Sequence, residues 1–209
     1  MTHNLYKHLP TYRNPFQLCV NSIMFQHSPE KDELLSILRC GFSGNYSTLP
    51  LPWGPIKNYF SSDVIAKART RFQSETQKGR MIGGPGWSRT VVRDFLGCDF
   101  YVIPCGAVPK GDDPHGCIIH YYSYAPDGIH SINNALIDNS VNYISFKERV
   151  RSLAGLSWYI AVDLKNGYRQ LPLHPRDWPT QVYMLDTNEH YIDVCMPFGK
   201  ANSSKIFCF

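Results

Sequence analysis

A short apolar run, Tyr159 to Val162, delivers a carboxylate at Asp163, and an aromatic follows at Tyr168. An Asp at the end of an apolar strand stands at a sheet edge, where a metal ion or ligand can reach it. Hard cations such as Mg²⁺ take oxygen ligands and keep several waters. Two-metal phosphoryl transfer needs more than one carboxylate. Taken alone, an Asp in this place more often caps the turn after a strand, and its neighbours shift the reading. If the chain turns sharply there, the Tyr168 ring floors a pocket beside the metal, and a flat ring under a nucleotide sugar would exclude a 2′-hydroxyl by contact. The alternative is a core aromatic. Arg169 and Gln170 suit phosphate or base, or simply cover the surface. A second block, Met196-Pro-Phe-Gly199, precedes a helix expected from Ala201 onward. Its glycine lets backbone approach a ligand closely, and a helix N-terminus attracts phosphate.

Charge supplies a second signal. Residues 57–93 carry Lys57, Lys67, Arg69, Arg71, Lys78, Arg80, Arg89 and Arg93 against Asp63 and Glu75, within a chain of net charge +4. Such a basic stretch beside aromatics suits a phosphate backbone, and equally a solvated helix face. Lys67, Arg71, Lys78 and Arg80 are the nucleic-acid contacts expected from it. A zinc site is disfavoured, because His115, His120 and His130 with Cys105 and Cys117 fit no common finger spacing. The seven scattered cysteines read as reduced thiols of an intracellular protein. No apolar run is long enough to span a membrane, and the N-terminus lacks the apolar core of a secretory signal.

The elements that must position these residues mix helices and strands without regular alternation, which gives an α+β expectation. Residues 1–27 form an arm. Ser28-Pro-Glu-Lys-Asp-Glu33 opens a helix that ends at Cys40-Gly41. Ser61 to Asp63 caps a second helix over 63–79, with Val64, Ile65, Ala68 and Phe72 near one stripe. Met81 to Trp87 reads as a Gly/Pro turn. Short strands at 100–103 and 106–108 and a strand at 117–122 form a hairpin around the polar tip 110–116. Ser145 with Glu148 forms a capping box. Strands at 181–185 and 191–195 form a second hairpin around 186–190.

Asp163-Leu-Lys-Asn-Gly-Tyr-Arg-Gln-Leu-Pro-Leu, Tyr191-Ile-Asp-Val-Cys-Met-Pro-Phe-Gly199 and Lys205-Ile-Phe207 together resemble the reverse transcriptases of retroelements. Val108-Pro-Lys110, Ile118-Ile-His120, Ser131-Ile-Asn-Asn134 and Tyr143-Ile-Ser-Phe146 are similar to their fingers region. Upstream, Gly41-Phe42, Trp53-Gly-Pro55, Asn58 and Lys78-Gly-Arg80 resemble the tyrosine-recombinase, DIRS-like class. The resemblance covers roughly residues 28–209 and implies the fingers and partial palm of a right-hand polymerase. It divides the chain into an arm (1–27), a helical N-terminal extension (28–97) and the fingers with partial palm (98–209).

By that resemblance Asp163 is the first metal-binding and catalytic aspartate, and Leu164 offers a backbone carbonyl to the second metal. Tyr168 selects deoxynucleotides, Lys110 contacts the triphosphate, and Phe198 and Gly199 contact template and nucleotide. The implied reaction is attack of a primer 3′-hydroxyl on a dNTP α-phosphate, with Mg²⁺ clamping the oxygens. The implied partners are an RNA or DNA template-primer and dNTP. Three departures qualify this. The family's Tyr-x-Asp-Asp-type pair would come after Phe209, with the rest of the palm and the thumb. Cys117 stands where the family has a fingers arginine. Gly167 replaces a usual Ala. The expectation is therefore a fragment inactive alone, prone to self-association through an unpaired sheet edge. The rival expectation is a non-catalytic nucleic-acid-binding module.

Overall fold

The structure, a computed structural model, describes residues 31–54, 56, 58, 59, 61–126, 130–137, 145–155, 158 and 166–204. The arm, the helix start at Ser28, the strand expected at 159–162, Asp163, Leu164 and Lys205 to Phe207 lie outside the described residues. The architecture is mixed α+β, with a three-stranded antiparallel sheet and a separate hairpin.

The first helix, α1 (Lys31–Cys40), ends where its glycine predicts. Gly41 adopts φ 83° and its N–H donates to the Ile37 carbonyl at 2.9 Å. A Cβ there would lie 2.4 Å from His174 N, so the position also demands a close approach. Helix α2 (Ser62–Gln77) buries Val64, Ala68 and Phe72, one residue per turn, which is the expected stripe. Gly79, at φ 70°, follows its end.

The turn expected at 81–87 is instead a strand, β1 (Met81–Pro85), paired antiparallel with β5 (Glu189–Asp193). Gly83 and Gly84 hold φ 118° and 137°, and a Cβ on Gly83 would meet the His190 carbonyl at 2.3 Å. Glycines that read as turn formers are here because two backbones pass closely. Helix α3 (Arg89–Leu96) has no counterpart in the sequence expectations. Its signals were present: Ser88 accepts the Val91 N–H, Gly97 stops the helix at φ 71°, and Val92 and Leu96 are buried four residues apart.

The expected fingers hairpin is tighter than its polar tip suggested. Strand β2 (Cys105–Lys110) pairs with β3 (Asp113–His120), with Lys110 opposite Asp113, so only Gly111 and Asp112 turn. Residues 100–103, expected as a strand, are buried but form none; Val102 makes an isolated parallel bridge to Val182. Asn58 ties the two assemblies together, donating to the Met184 carbonyl while its oxygen accepts the Cys105 N–H at 3.0 Å. Two short helices follow, α4 (Ile132–Ala135) and α5 (Phe146–Leu153). The capping box of α5 is complete: Ser145 Oγ accepts the Glu148 N–H at 3.2 Å, and Glu148 accepts the Ser145 N–H at 2.9 Å.

Strand β4 (Val182–Asp186) joins β5 through Thr187 and Asn188 alone, so Glu189 and His190, expected in the loop, lie within the strand and are buried. Glu189 tolerates burial because Arg69 grips it with two nitrogens at 2.7–2.9 Å and Tyr191 donates to it at 2.8 Å.

Alternation along β4 and β5 splits the core in two. Tyr183 and Tyr191 face Phe72 of α2, with Ile103 and Tyr122 in the same cluster. Val182 and Ile192 face the other way, against Val92 of α3, Phe100 and Trp178. β1 precedes residue 97 and β4 and β5 follow it, so segments on both sides of that position share one sheet. Among the described residues, no helix is long and apolar enough to cross a membrane.

Candidate functional site

A cleft of about 430 Å³ opens between α2, the β2–β3 hairpin, a 3₁₀ turn (Gly167–Gln170) and the loop 197–199. α2 contributes Arg71, Phe72 and Glu75, the hairpin Lys110, Cys117 and His120, and the two loops Asn166, Arg169, Phe198 and Gly199. The adjoining space along α2 adds Lys67 and Lys78 and shares Arg71, Glu75 and Lys110. Lys110 and the pair Phe198–Gly199, expected from two separate stretches of sequence, therefore meet in one place.

The loop at 197–199 is held by a residue whose role the sequence did not reveal. Asn133 donates to the Gly199 carbonyl at 3.0 Å and accepts the Ala201 N–H at 2.9 Å, bracketing the turn. Ser131, which accepts the Asn134 N–H, caps the short helix that carries it. Gly199 adopts φ 94°, and a Cβ there would approach the His120 carbonyl at 2.9 Å. The close approach and the positive φ both call for glycine at this position. Phe198 is 54% exposed and packs on Tyr168, ring centroids 4.7 Å apart. Tyr168 Oη lies 3.0 Å from Ser204 Oγ. The 3₁₀ turn carrying Tyr168 begins after Asn166, whose φ of 55° reverses the chain. Asp163 and Leu164 lie outside the described residues, so their place relative to Tyr168 is not part of this geometry.

The cations sort into two groups. Lys67 pairs with Asp113 across to the hairpin tip, and Lys78 pairs with Glu75 at 3.0 Å, both on half-exposed side chains. Arg80 was expected to contact nucleic acid; it is 6% exposed and lies 3.7 Å from Glu75, so it is an interior charge rather than a surface one. Arg71 and Lys110 are exposed, line both parts of the cleft, and have no ion pair among the described residues.

Beneath the cleft lies a buried polar network. Arg169, read from sequence as a ligand contact or surface cover, is largely buried at the cleft floor, where it pairs with Asp193 and with Glu75 at 3.3 Å. Asp193 also accepts from Tyr183 Oη at 3.3 Å, and Tyr183 meets Tyr122, whose hydroxyl donates to Gln181 at 2.6 Å. Burial alone would lower the pKa of Arg169, but the Asp193 charge more than reverses this. For Asp193, burial pushes the carboxyl upward and Arg169 pulls it back.

His120 borders the same space. The residue is only partly buried, but its ring lies flat on Tyr183 at 4.2 Å, with Phe72 stacked at 6.0 Å and Cys105 Sγ 3.3 Å from Nδ1. Enclosure, aided by the charges of Arg169 and Arg71, pushes its pKa down to about 3 from 6.5. The unfolded chain thus takes up a proton between about pH 6.5 and 3 that the folded chain refuses. Stability is expected to fall as pH drops through that window, with this one group contributing at most about 1.4 kcal/mol per pH unit. Urea midpoints for wild type and His120→Gln should diverge in pH slope there, and parallel slopes would refute the assignment.

Among the described residues, no group of three His, Cys, Asp or Glu side chains could hold a metal ion. Glu75, the carboxylate lining the cleft, is held by Arg169, Lys78 and Arg80. Asp163, the carboxylate expected to hold Mg²⁺, lies outside the described residues.

The fold is similar to part of a solved viral protease-reverse transcriptase. The chain matches the solved structure of "the foamy viral protease-reverse transcriptase dRH in complex with ds DNA" with a TM-score of 0.52, at 15% identity, over 78% of this chain and 25% of that one. In sequence it is 29% identical over 77 residues to the "Enzymatic polyprotein" of Cestrum yellow leaf curling virus, covering 37% of this chain and 12% of that protein's length. The structural likeness, at that identity, is one of fold. No family model matches the chain.

Proposed function

We propose that this chain forms the fingers and part of the palm of an RNA-directed DNA polymerase from a DIRS-like retroelement, and that its cleft receives a dNTP beside a template-primer. The observation that carries this reading is the meeting of Lys110, Phe198 and Gly199 in one cleft, with Tyr168 packed on Phe198 beside it. Lys110 suits the triphosphate as a point charge. The Tyr168 ring, steadied by Phe198 and Ser204, would lie against the sugar and exclude a 2′-hydroxyl. Exposed Phe198 offers a face on which a base can stack, and Gly199 lets the backbone approach it. Lys67 and Lys78, half-exposed on the rim, would meet backbone phosphates by exchanging their carboxylate partners, whereas Arg80 is buried.

Metal chemistry would rest on Asp163, with Leu164 beside it, and on further carboxylates. These 209 residues are accordingly expected to bind nucleic acid without extending a primer. The measurement is fluorescence anisotropy with an RNA–DNA template-primer across a salt series, run beside primer extension with Mg²⁺. Affinity should fall about tenfold or more between 50 and 200 mM salt if several phosphates are contacted. Absent or salt-insensitive binding defeats the reading. Extension that disappears in Asp163→Ala would overturn the expectation of inactivity. Duplex binding with no effect of added dNTP would favour the non-catalytic nucleic-acid-binding module.

A further inference from the structure

We infer that Arg71, on α2, is the second cation of a polyphosphate site, acting with Lys110 while the other cations of the cleft are held by the fold. This deepens the proposed function, since a nucleotide's phosphate tail is the ligand of that chemistry, but it stands on the ion-pair pattern.

Five cations line the two adjoining parts of the cleft: Lys67, Arg71, Lys78, Lys110 and Arg169. Three are committed within the fold. Lys67 is held by Asp113, Lys78 by Glu75, and Arg169 by Asp193 and Glu75. Glu75 is shared further with Arg80, so the carboxylate nearest the cleft is already surrounded by positive charge. Arg71 and Lys110 alone among these five have no ion pair among the described residues.

Placement reinforces the point. Arg71 follows Lys67 by one helical turn and precedes Glu75 by another, so all three share the face of α2 that lines the cleft. Phe72, its neighbour, is buried and fixes the helix there. Lys110 closes the opposite side from the end of β2, and Cys117, also lining the cleft, brings no fixed charge. A guanidinium presents a planar fork that grips two oxygens at once, whereas an ammonium acts as a point charge. One fork and one point charge on facing walls suit a ligand with several phosphate oxygens in a row, a di- or triphosphate, better than a single phosphate.

Inorganic tripolyphosphate, without metal ions, is the direct probe. Calorimetric titration of the full chain at low salt should show binding weakened about tenfold by Arg71→Ala and by Lys110→Ala. Lys67→Ala and Lys78→Ala should change it less than about threefold, since each of those amines already faces a carboxylate that offsets its charge. Arg71→Lys should recover part of the loss, and orthophosphate should bind more weakly than tripolyphosphate. Arg71 is exposed, so its variants should melt like wild type. The inference fails if wild type does not bind tripolyphosphate, or if Arg71→Ala binds within twofold of it. It fails equally if all four alanine variants weaken binding alike, which would indicate diffuse charge.

A duplex arm separates the two phosphate sources. Arg71→Ala should weaken tripolyphosphate binding more than template-primer binding; the reverse order would assign Arg71 to the nucleic-acid backbone and overturn the inference. Tripolyphosphate binding through Arg71 and Lys110 by a chain that ignores template-primer would leave this site standing and remove the polymerase reading.

Discussion

Arg169→Ala is expected to destabilise the folded chain by about 3–5 kcal/mol, a large part of what an ordinary domain has. Asp193 is fully buried, and Arg169 is its ion-pair partner. Removing the guanidinium leaves a carboxylate that must either stay charged without compensation or take up a proton. The tyrosine chain above it, Tyr183 to Tyr122 to Gln181, donates only one hydroxyl to Asp193. Glu75 would lose a partner as well, though Lys78 and Arg80 remain beside it.

The loss should depend on pH with a definite sign. Burial raises the folded-state pKa of Asp193 even with Arg169 present, and more so without it. Above the ordinary carboxylate range the unfolded chain has released this proton while the folded variant holds it, so the variant weakens further as pH rises. Urea unfolding of Arg169→Ala at pH 5 and pH 8 should show the larger deficit at pH 8. Arg169→Met combined with Asp193→Leu should recover much of the stability, since replacing both partners of a buried pair is often neutral. A single-variant deficit under about 1 kcal/mol would mean that the pair does not hold the floor of the cleft.

Phe72→Ala should have a comparable effect, about 3–5 kcal/mol, for a different reason. Phe72 is 1% exposed and touches three rings: Tyr191 edge-on at 5.1 Å, Tyr183 at 5.5 Å and His120 at 6.0 Å. These belong to β5, β4 and β3, so one side chain joins α2 to both the sheet and the hairpin. Truncation leaves a cavity among rigid rings that cannot close around it. Phe72→Leu, which keeps most of the volume, should cost about 1–1.5 kcal/mol. Guanidinium unfolding of the two variants tests this, and a Phe72→Ala loss below about 1.5 kcal/mol would show that α2 is not anchored there. The same substitution should loosen the wall that carries Arg71, so tripolyphosphate affinity should fall in Phe72→Ala although Phe72 carries no charge.

Local signals were legible where the chain answers to its neighbours in sequence. The Ser145–Glu148 capping box, the Gly41 stop and the Val64–Ala68–Phe72 stripe need only a few consecutive residues to form, and each stands in the structure. The two hairpins were legible as apolar runs around polar tips, although pairing reached further toward each tip than hydrophilicity suggested. Glu189 and His190 show why: a buried glutamate reads as loop until Arg69, far away in sequence, is known to neutralise it. β1 was missed because Gly83 and Gly84 mark a close passage of two strands, and a lone sequence cannot distinguish that from a turn.

The amino-acid sequence by itself determined the helix caps, most of the strand runs and the order in which Lys110, Tyr168, Phe198 and Gly199 occur along the chain. Tertiary structure alone decided the fate of the charges. Arg80 and Arg169, indistinguishable on paper from Arg71, were drawn inward by Glu75 and Asp193, while Arg71 and Lys110 were left facing the cleft. The reason is that ion pairing acts through space between residues distant in the chain, and local composition carries no record of which carboxylate a guanidinium will meet.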